Sequence, residues 1–164
     1  RPQLRNLRAQ CAAWNARYQT VEKGLRGTTG LTLIDRPAKE GYVMSSFQLL
    51  LLDWPFAAVE TVVRRCAERG VDLKWFGKPG GPNGFTSRYE HWEFAPSEPM
   101  PQSDRVLAGL LDMRLPLTFT LADCAVIARI VKEEVTAVWK EQHDEQQPVV
   151  AYATRYSSAD TATK

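Results

Sequence analysis

Residues 43–76 read VMSSFQLLLLDWPFAAVETVVRRCAERGVDLKWF, and the order of patterns inside this stretch decides the fold class. An apolar run ending in four consecutive leucines predicts a strand over residues 43–52, and its uniformity predicts cover on both sides. Asp53, Trp54 and Pro55 then form a turn and a helix start. Val59, Val62, Val63 and Cys66 fall at helical spacing, so they predict the buried stripe of a helix that Gly70 ends. A second strand over residues 71–76 follows. Strand, helix and strand in succession define an α/β domain.

The flanks extend this unit. Upstream, Leu4, Leu7, Cys11, Trp14, Tyr18, Val21 and Leu25 recur at steps of three and four, which predicts a long amphipathic helix. No Ser, Thr, Asp or Asn stands before its first turn, and Gly24, Gly27 and Gly30 are expected to end it. Residues 31–34 have strand character. Downstream, residues 102–111 predict a short helix with Val106, Leu107, Leu110 and Leu111 on one side, and residues 113–117 an extended stretch. Thr120 and Asp123 form a capping box for a last helix whose apolar face is Cys124, Ile127, Ala128, Val131, Val135 and Trp139. Two short connections between strands, with helices on the flanks, predict a small, mostly antiparallel or mixed sheet with helices packed on it. Residues 142–164 have the composition of a polar tail.

A chain of 164 residues is long enough to bury one core without disulfides or metals. Its formal charge of +2 is dispersed among interleaved acids, which disfavours nucleic acid as a partner. Cys11, Cys66 and Cys124 each sit in an apolar helical pattern, as packing residues do in a reducing cytoplasm. No apolar run approaches the roughly 18 to 20 residues of a membrane span. His91 and His143 are remote from each other and from any cysteine cluster, so no metal-ligand spacing exists.

Chemistry concentrates in residues 73–94, LKWFGKPGGPNGFTSRYEHWEF. The glycines and prolines of GKPGGPNG stand in the wrong order for a phosphate-cradling loop, and no helix pattern follows them. Aromatic side chains around a Gly/Pro turn, with cations among them, suit recognition, because they give contact area at low entropic cost. Arg88 is suited to clamping a carboxylate, phosphate or sugar hydroxyl, or to pairing with Glu90 and Glu93. His91 is suited to acid/base work or to an ordinary hydrogen bond. Trp75 and Trp92 suit either the core or stacking on a ligand.

These segments together resemble a family. RPQLRNLRAQCAAWNARYQTVEKGL (residues 1–25) is similar to the helix that leaves the large domain in sugar aminotransferases of the DegT/DnrJ type. ERGVDLKWFG resembles that family's helix-to-strand step, GFTSRYEHW stands where its substrate-side loop lies, and residues 103–135 resemble its closing helix, Leu-Pro stretch and last helix. The resemblance spans residues 1–141 and implies the C-terminal small domain of a fold type I, pyridoxal-phosphate-dependent aminotransferase, with residues 1–27 leading in from a large domain missing at the N-terminus. It implies a homodimeric, cytoplasmic parent that moves an amino group from an amino acid donor to a keto group, a nucleotide-linked sugar being one acceptor of that kind. Arg88, Tyr89, His91 and Trp92 become substrate contacts, with no catalytic, cofactor-binding or metal-binding residue in the chain. The family's Schiff-base lysine has a serine- or histidine-containing context that Lys23, Lys39, Lys74, Lys78, Lys132 and Lys140 lack. No covalent pyridoxal phosphate and no transamination are therefore expected of this polypeptide alone. A freestanding small-ligand-binding or regulatory α/β module, and a structural dimerisation domain, are the alternatives.

Overall fold

The first and largest departure from the expected elements is in residues 110–114, where an apolar/polar alternation makes a central strand. Leu111, Met113 and Leu115 are buried, while Arg114 is exposed. The computed structural model describes residues 5–37, 43–78, 93–94 and 98–144. Within them the elements are α1 (Leu7–Leu25), β1 (Thr32–Leu33), β2 (Ser46–Leu50), α2 (Phe56–Glu68), β3 (Lys74–Trp75), α3 (Pro101–Gly109), β4 (Leu110–Arg114) and α4 (Leu121–Asp144). Leu110 and Leu111, expected on the short helix, instead open β4. Two adjacent leucines satisfy either period, and the alternation that follows them belongs to the strand.

The four strands form one antiparallel sheet in the order β1-β2-β4-β3. The register pairs Phe47 with Met113 and Leu49 with Leu111, and Trp75 also lies opposite Leu111. Side chains directly opposite one another share a face, so these residues build one apolar inner surface. Tyr18, Val21 and Leu25 of α1, Val59, Val62 and Cys66 of α2, and Cys124, Val131 and Val135 of α4 close over it in a single core. Tyr18 meets Phe47 at a ring separation of 4.7 Å. Phe56 meets Trp75 at 4.5 Å.

Cover on both sides of residues 43–52 is not what forms. Only Phe47, Leu49 and Leu51 are fully buried, and Ser46, Gln48 and Leu50 alternate with them, partly exposed. Four leucines in a row mimic a strand buried on both faces. In fact β2 ends at Leu50, and Leu51 and Leu52 already belong to the connection to α2.

Helix α1 has two regimes. Its C-terminal half is buried, whereas Leu7 is exposed and Cys11 and Trp14 are half-buried. The described helix starts at Leu7 with Asn6 at the cap position, where the Asn6 side chain makes no capping bond. Arg17 ties α1 to the turn before α4, its guanidinium donating to the carbonyls of Phe119 (2.7 Å), Leu117 (2.8 Å) and Ala13 (2.7 Å). Gly24 does not end the helix. It lies inside α1 where a Cβ would stand 2.6 Å from that of Ala128, so glycine permits the close approach of α1 and α4. Gly30, at φ +78°, turns the chain back where Trp54 and Trp139 leave no room for a side chain. The Trp54 indole N–H donates to Gly30 O at 3.0 Å.

The expected capping box is present. Asp123 N donates to Thr120 Oγ1 (3.1 Å), and Thr120 N donates to Asp123 Oδ2 (2.8 Å). The Thr120 backbone N–H, and after it the Thr120 hydroxyl, which also donates to Asp123 Oδ2 at 2.8 Å, hold the Asp123 carboxyl below its ordinary range. Further along α4, Arg65 grips Glu141, and Arg69 grips both Glu133 and Glu134, which joins α2 to α4 on the surface.

Candidate functional site

The loop nominated by sequence springs from β3, and its first stem is firmly held. Trp75 is 6% exposed, its indole N–H donates to Ala108 O at 2.8 Å, and its ring packs on Phe56. Of the two roles open to Trp75, the structure assigns the core. Phe76 N donates to Leu110 O at 3.0 Å, and Gly77 lies so close to the end of α3 that a Cβ would stand 2.6 Å from Ala108 Cα. β3, α3 and β4 thus fix the point where the loop leaves the domain. Lys78 is exposed at that point. Arg88, Tyr89, His91 and Trp92, the four expected substrate contacts, lie outside the described residues.

The outer face of the sheet carries a polar group that the sequence reading did not single out. Gln48 pairs with Asp112, and Asp112 with Lys74, so the three form one row across β2, β4 and β3 on the same face. Ser46 and Arg114 form the next pair along. The Gln48 amide donates to Asp112 Oδ1 at 2.6 Å and to Ser46 Oγ at 2.7 Å. The Arg36 guanidinium approaches Gln48 Oε1 at 3.4 Å. Asp112 is only 9% exposed, whereas Lys74 and Arg114 are exposed. The Lys74 ammonium sits over the Phe76 ring, 4.6 Å from its centroid. The signal for this row was present in the alternation of Asp112 and Arg114 with Leu111, Met113 and Leu115.

A second charged feature lies at the β2–α2 turn. Asp53 has φ +62° and accepts both arms of the Arg105 guanidinium, with Arg105 Nε to Oδ1 at 2.6 Å. The Arg105 hydrogen bond holds the Asp53 carboxyl below its ordinary range. Both partners are exposed, so the pair orients the turn against α3 without adding much stability.

The cysteines offer no nucleophile within the core. Burial pushes the Cys66 thiol up to about 12 and raises that of Cys124 as well. Among the described residues no group of three or more His, Cys, Asp or Glu side chains is placed to hold a metal ion. Lys23, Lys74, Lys78, Lys132 and Lys140 are all exposed. A Schiff-base lysine is activated by desolvation or a neighbouring cation within a pocket, and none of these five has the burial such a role needs. These residues do not fit a covalently held pyridoxal phosphate.

No protein-family profile and no curated protein matches the chain. Solved structures do. The chain superposes on 3-amino-5-hydroxybenzoic acid (AHBA) synthase with a TM-score of 0.63 at 16% identity, over 82% of its own length and 36% of that chain. The aminotransferase TlmJ from Streptoalloteichus hindustanus gives 0.63 at 19% identity, over 83% and 34%. DesI, solved with its TDP-sugar product, gives 0.62 at 14% identity, over 87% and 35%. The chain has the fold of one part of these proteins. It spans about a third of their length. The likeness is one of fold, and it agrees with the α/β architecture that the DegT/DnrJ resemblance implied. Among the described residues no helix is long and apolar enough to cross a membrane.

Proposed function

We propose that this chain is the C-terminal small domain of a pyridoxal-phosphate-dependent aminotransferase of the DegT/DnrJ type. The observation that carries the reading is a fold likeness over 82 to 87% of this chain that takes up only about a third of each solved structure. The order of the sequence blocks over residues 1–141 supports it independently. The parent protein transfers an amino group from an amino acid donor to a keto group, a nucleotide-linked sugar being one acceptor of that kind. It works as a homodimer in the cytoplasm, a location in keeping with the unpaired Cys11, Cys66 and Cys124.

In this reading the chain supplies part of the substrate side. Arg88 holds an anionic or hydroxyl group of the substrate, Tyr89 and Trp92 give stacking surface, and His91 donates or accepts a hydrogen bond. Pyridoxal phosphate, held on a lysine of the large domain, supplies the electron sink. The exposed Leu7 and half-buried Cys11 and Trp14 on α1 fit a helix whose first half packs on that domain.

The polypeptide alone takes up no covalent pyridoxal phosphate and does not transaminate, a reading supported by the exposure of the five lysines among the described residues. Mixing the chain with pyridoxal phosphate, reducing with borohydride and weighing the product by mass spectrometry tests this. The expected product carries no stoichiometric adduct. One adduct per chain on a single lysine would overturn the assignment of the cofactor to other residues.

A further inference from the structure

We propose that the outer row Gln48, Asp112 and Lys74 is a binding site for a small zwitterion, a free amino acid being the simplest. Both N–H groups of the Gln48 amide are used, one on Asp112 Oδ1 and one on Ser46 Oγ. Among the described residues no further hydrogen bond or ion pair reaches the Asp112 carboxylate. Asp112 is 91% buried as a residue, and its carboxylate has one donor for two oxygens among the described residues, which leaves the second oxygen open to a further donor. The partner nearest by register is Lys74, directly opposite on β3. Yet its ammonium rests over Phe76 and makes no ion pair with Asp112.

An anion and a cation thus stand side by side on neighbouring strands, roughly 5 Å apart at the backbone, without neutralising each other. An α-amino acid presents an ammonium and a carboxylate one carbon apart, with signs opposite to this pair. Its ammonium donates to the second oxygen of Asp112. Its carboxylate accepts from Lys74, whose hold on Phe76 is weak enough to release, and from the exposed Arg114 on the next row. An amine alone would meet the repulsion of Lys74 and Arg114, and a carboxylate alone that of Asp112. Both ends are therefore required. The proposal goes beyond the aminotransferase reading, since it needs neither cofactor nor large domain.

The test is a titration of the ¹⁵N-labelled chain with L-alanine, following the amides of Gln48, Asp112 and Lys74. Saturable shifts at these three positions, with a dissociation constant of about 1 mM, are expected. N-acetyl-L-alanine lacks the ammonium and L-alaninamide the carboxylate, so each is expected to bind at least tenfold more weakly. Asp112→Asn is expected to weaken L-alanine by at least tenfold. If that variant does not fold, the analogue series on the unaltered chain decides alone. Absence of saturable shifts, or a discrimination below tenfold between L-alanine and either analogue, would overturn the proposal. Closure of a simple Asp112–Lys74 ion pair is the reading that would then replace it.

Discussion

Replacing Arg17 with Met keeps an unbranched side chain against α1 but removes the fork that joins the helix to the turn before α4. Three carbonyls lose their donor, and two of them, at Leu117 and Phe119, are about a hundred residues away in the chain. Hydrogen bonds to a charged donor contribute about 1.5–3 kcal/mol each when sheltered. Arg17 is half-buried, and water replaces part of the loss. The two long-range bonds therefore set an expected loss of about 2–4 kcal/mol. Urea unfolding at neutral pH, followed by tryptophan fluorescence, measures it as a shift in midpoint at constant slope. In thermal melts the same loss corresponds to on the order of 10 °C. Arg17→Lys keeps the charge but reaches fewer carbonyls, so it should fall between the two. A loss below about 0.5 kcal/mol for Arg17→Met would refute the reasoning, since that is the range of an ordinary surface substitution.

Gly24→Ala should destabilise the chain by about 1–3 kcal/mol despite the better helix propensity of alanine, because two Cβ atoms cannot share that contact. Adding Ala128→Gly should recover much of the loss in a denaturation cycle, and additive effects would contradict the packing account. The carboxyls of Asp53, Asp123 and Glu133 are all held below their ordinary range in the folded chain, by Arg105, Thr120 and Arg69 respectively. A depressed folded value gives stability that is present above the unfolded value and lost as pH falls through the folded one. Unfolding midpoints should therefore drop as pH falls below about 4, and Asp123→Asn should flatten that slope. Under native conditions a thiol reagent such as DTNB should label Cys11 first, with Cys66 and Cys124 reacting only in denaturant; equal rates at all three would contradict their burial.

How much of this was legible in the sequence varies with the kind of signal. The α2 stripe of Val59, Val62 and Cys66 and the Thr120–Asp123 cap appear where the spacing placed them, because both signals are local. Gly24 misled, since a glycine near a helix end looks the same whether it stops the helix or admits a neighbour, and Ala128 is remote in sequence. The Leu49–Leu52 run misled in another way: length and apolarity cannot say where pairing with β4 stops. The row Gln48, Asp112 and Lys74 was out of reach as a cluster, because the register that assembles it joins three separate segments. The stem of the loop nominated by sequence is fixed by Trp75 and Phe76, while Arg88, Tyr89, His91 and Trp92 remain nominated by sequence and resemblance.

The most direct measurement of the central claim is the reading frame upstream of the codon for Arg1. The account expects it to continue in frame through a large domain that carries a Schiff-base lysine. A start codon immediately before Arg1 would contradict the aminotransferase reading and leave a freestanding α/β binding module in its place.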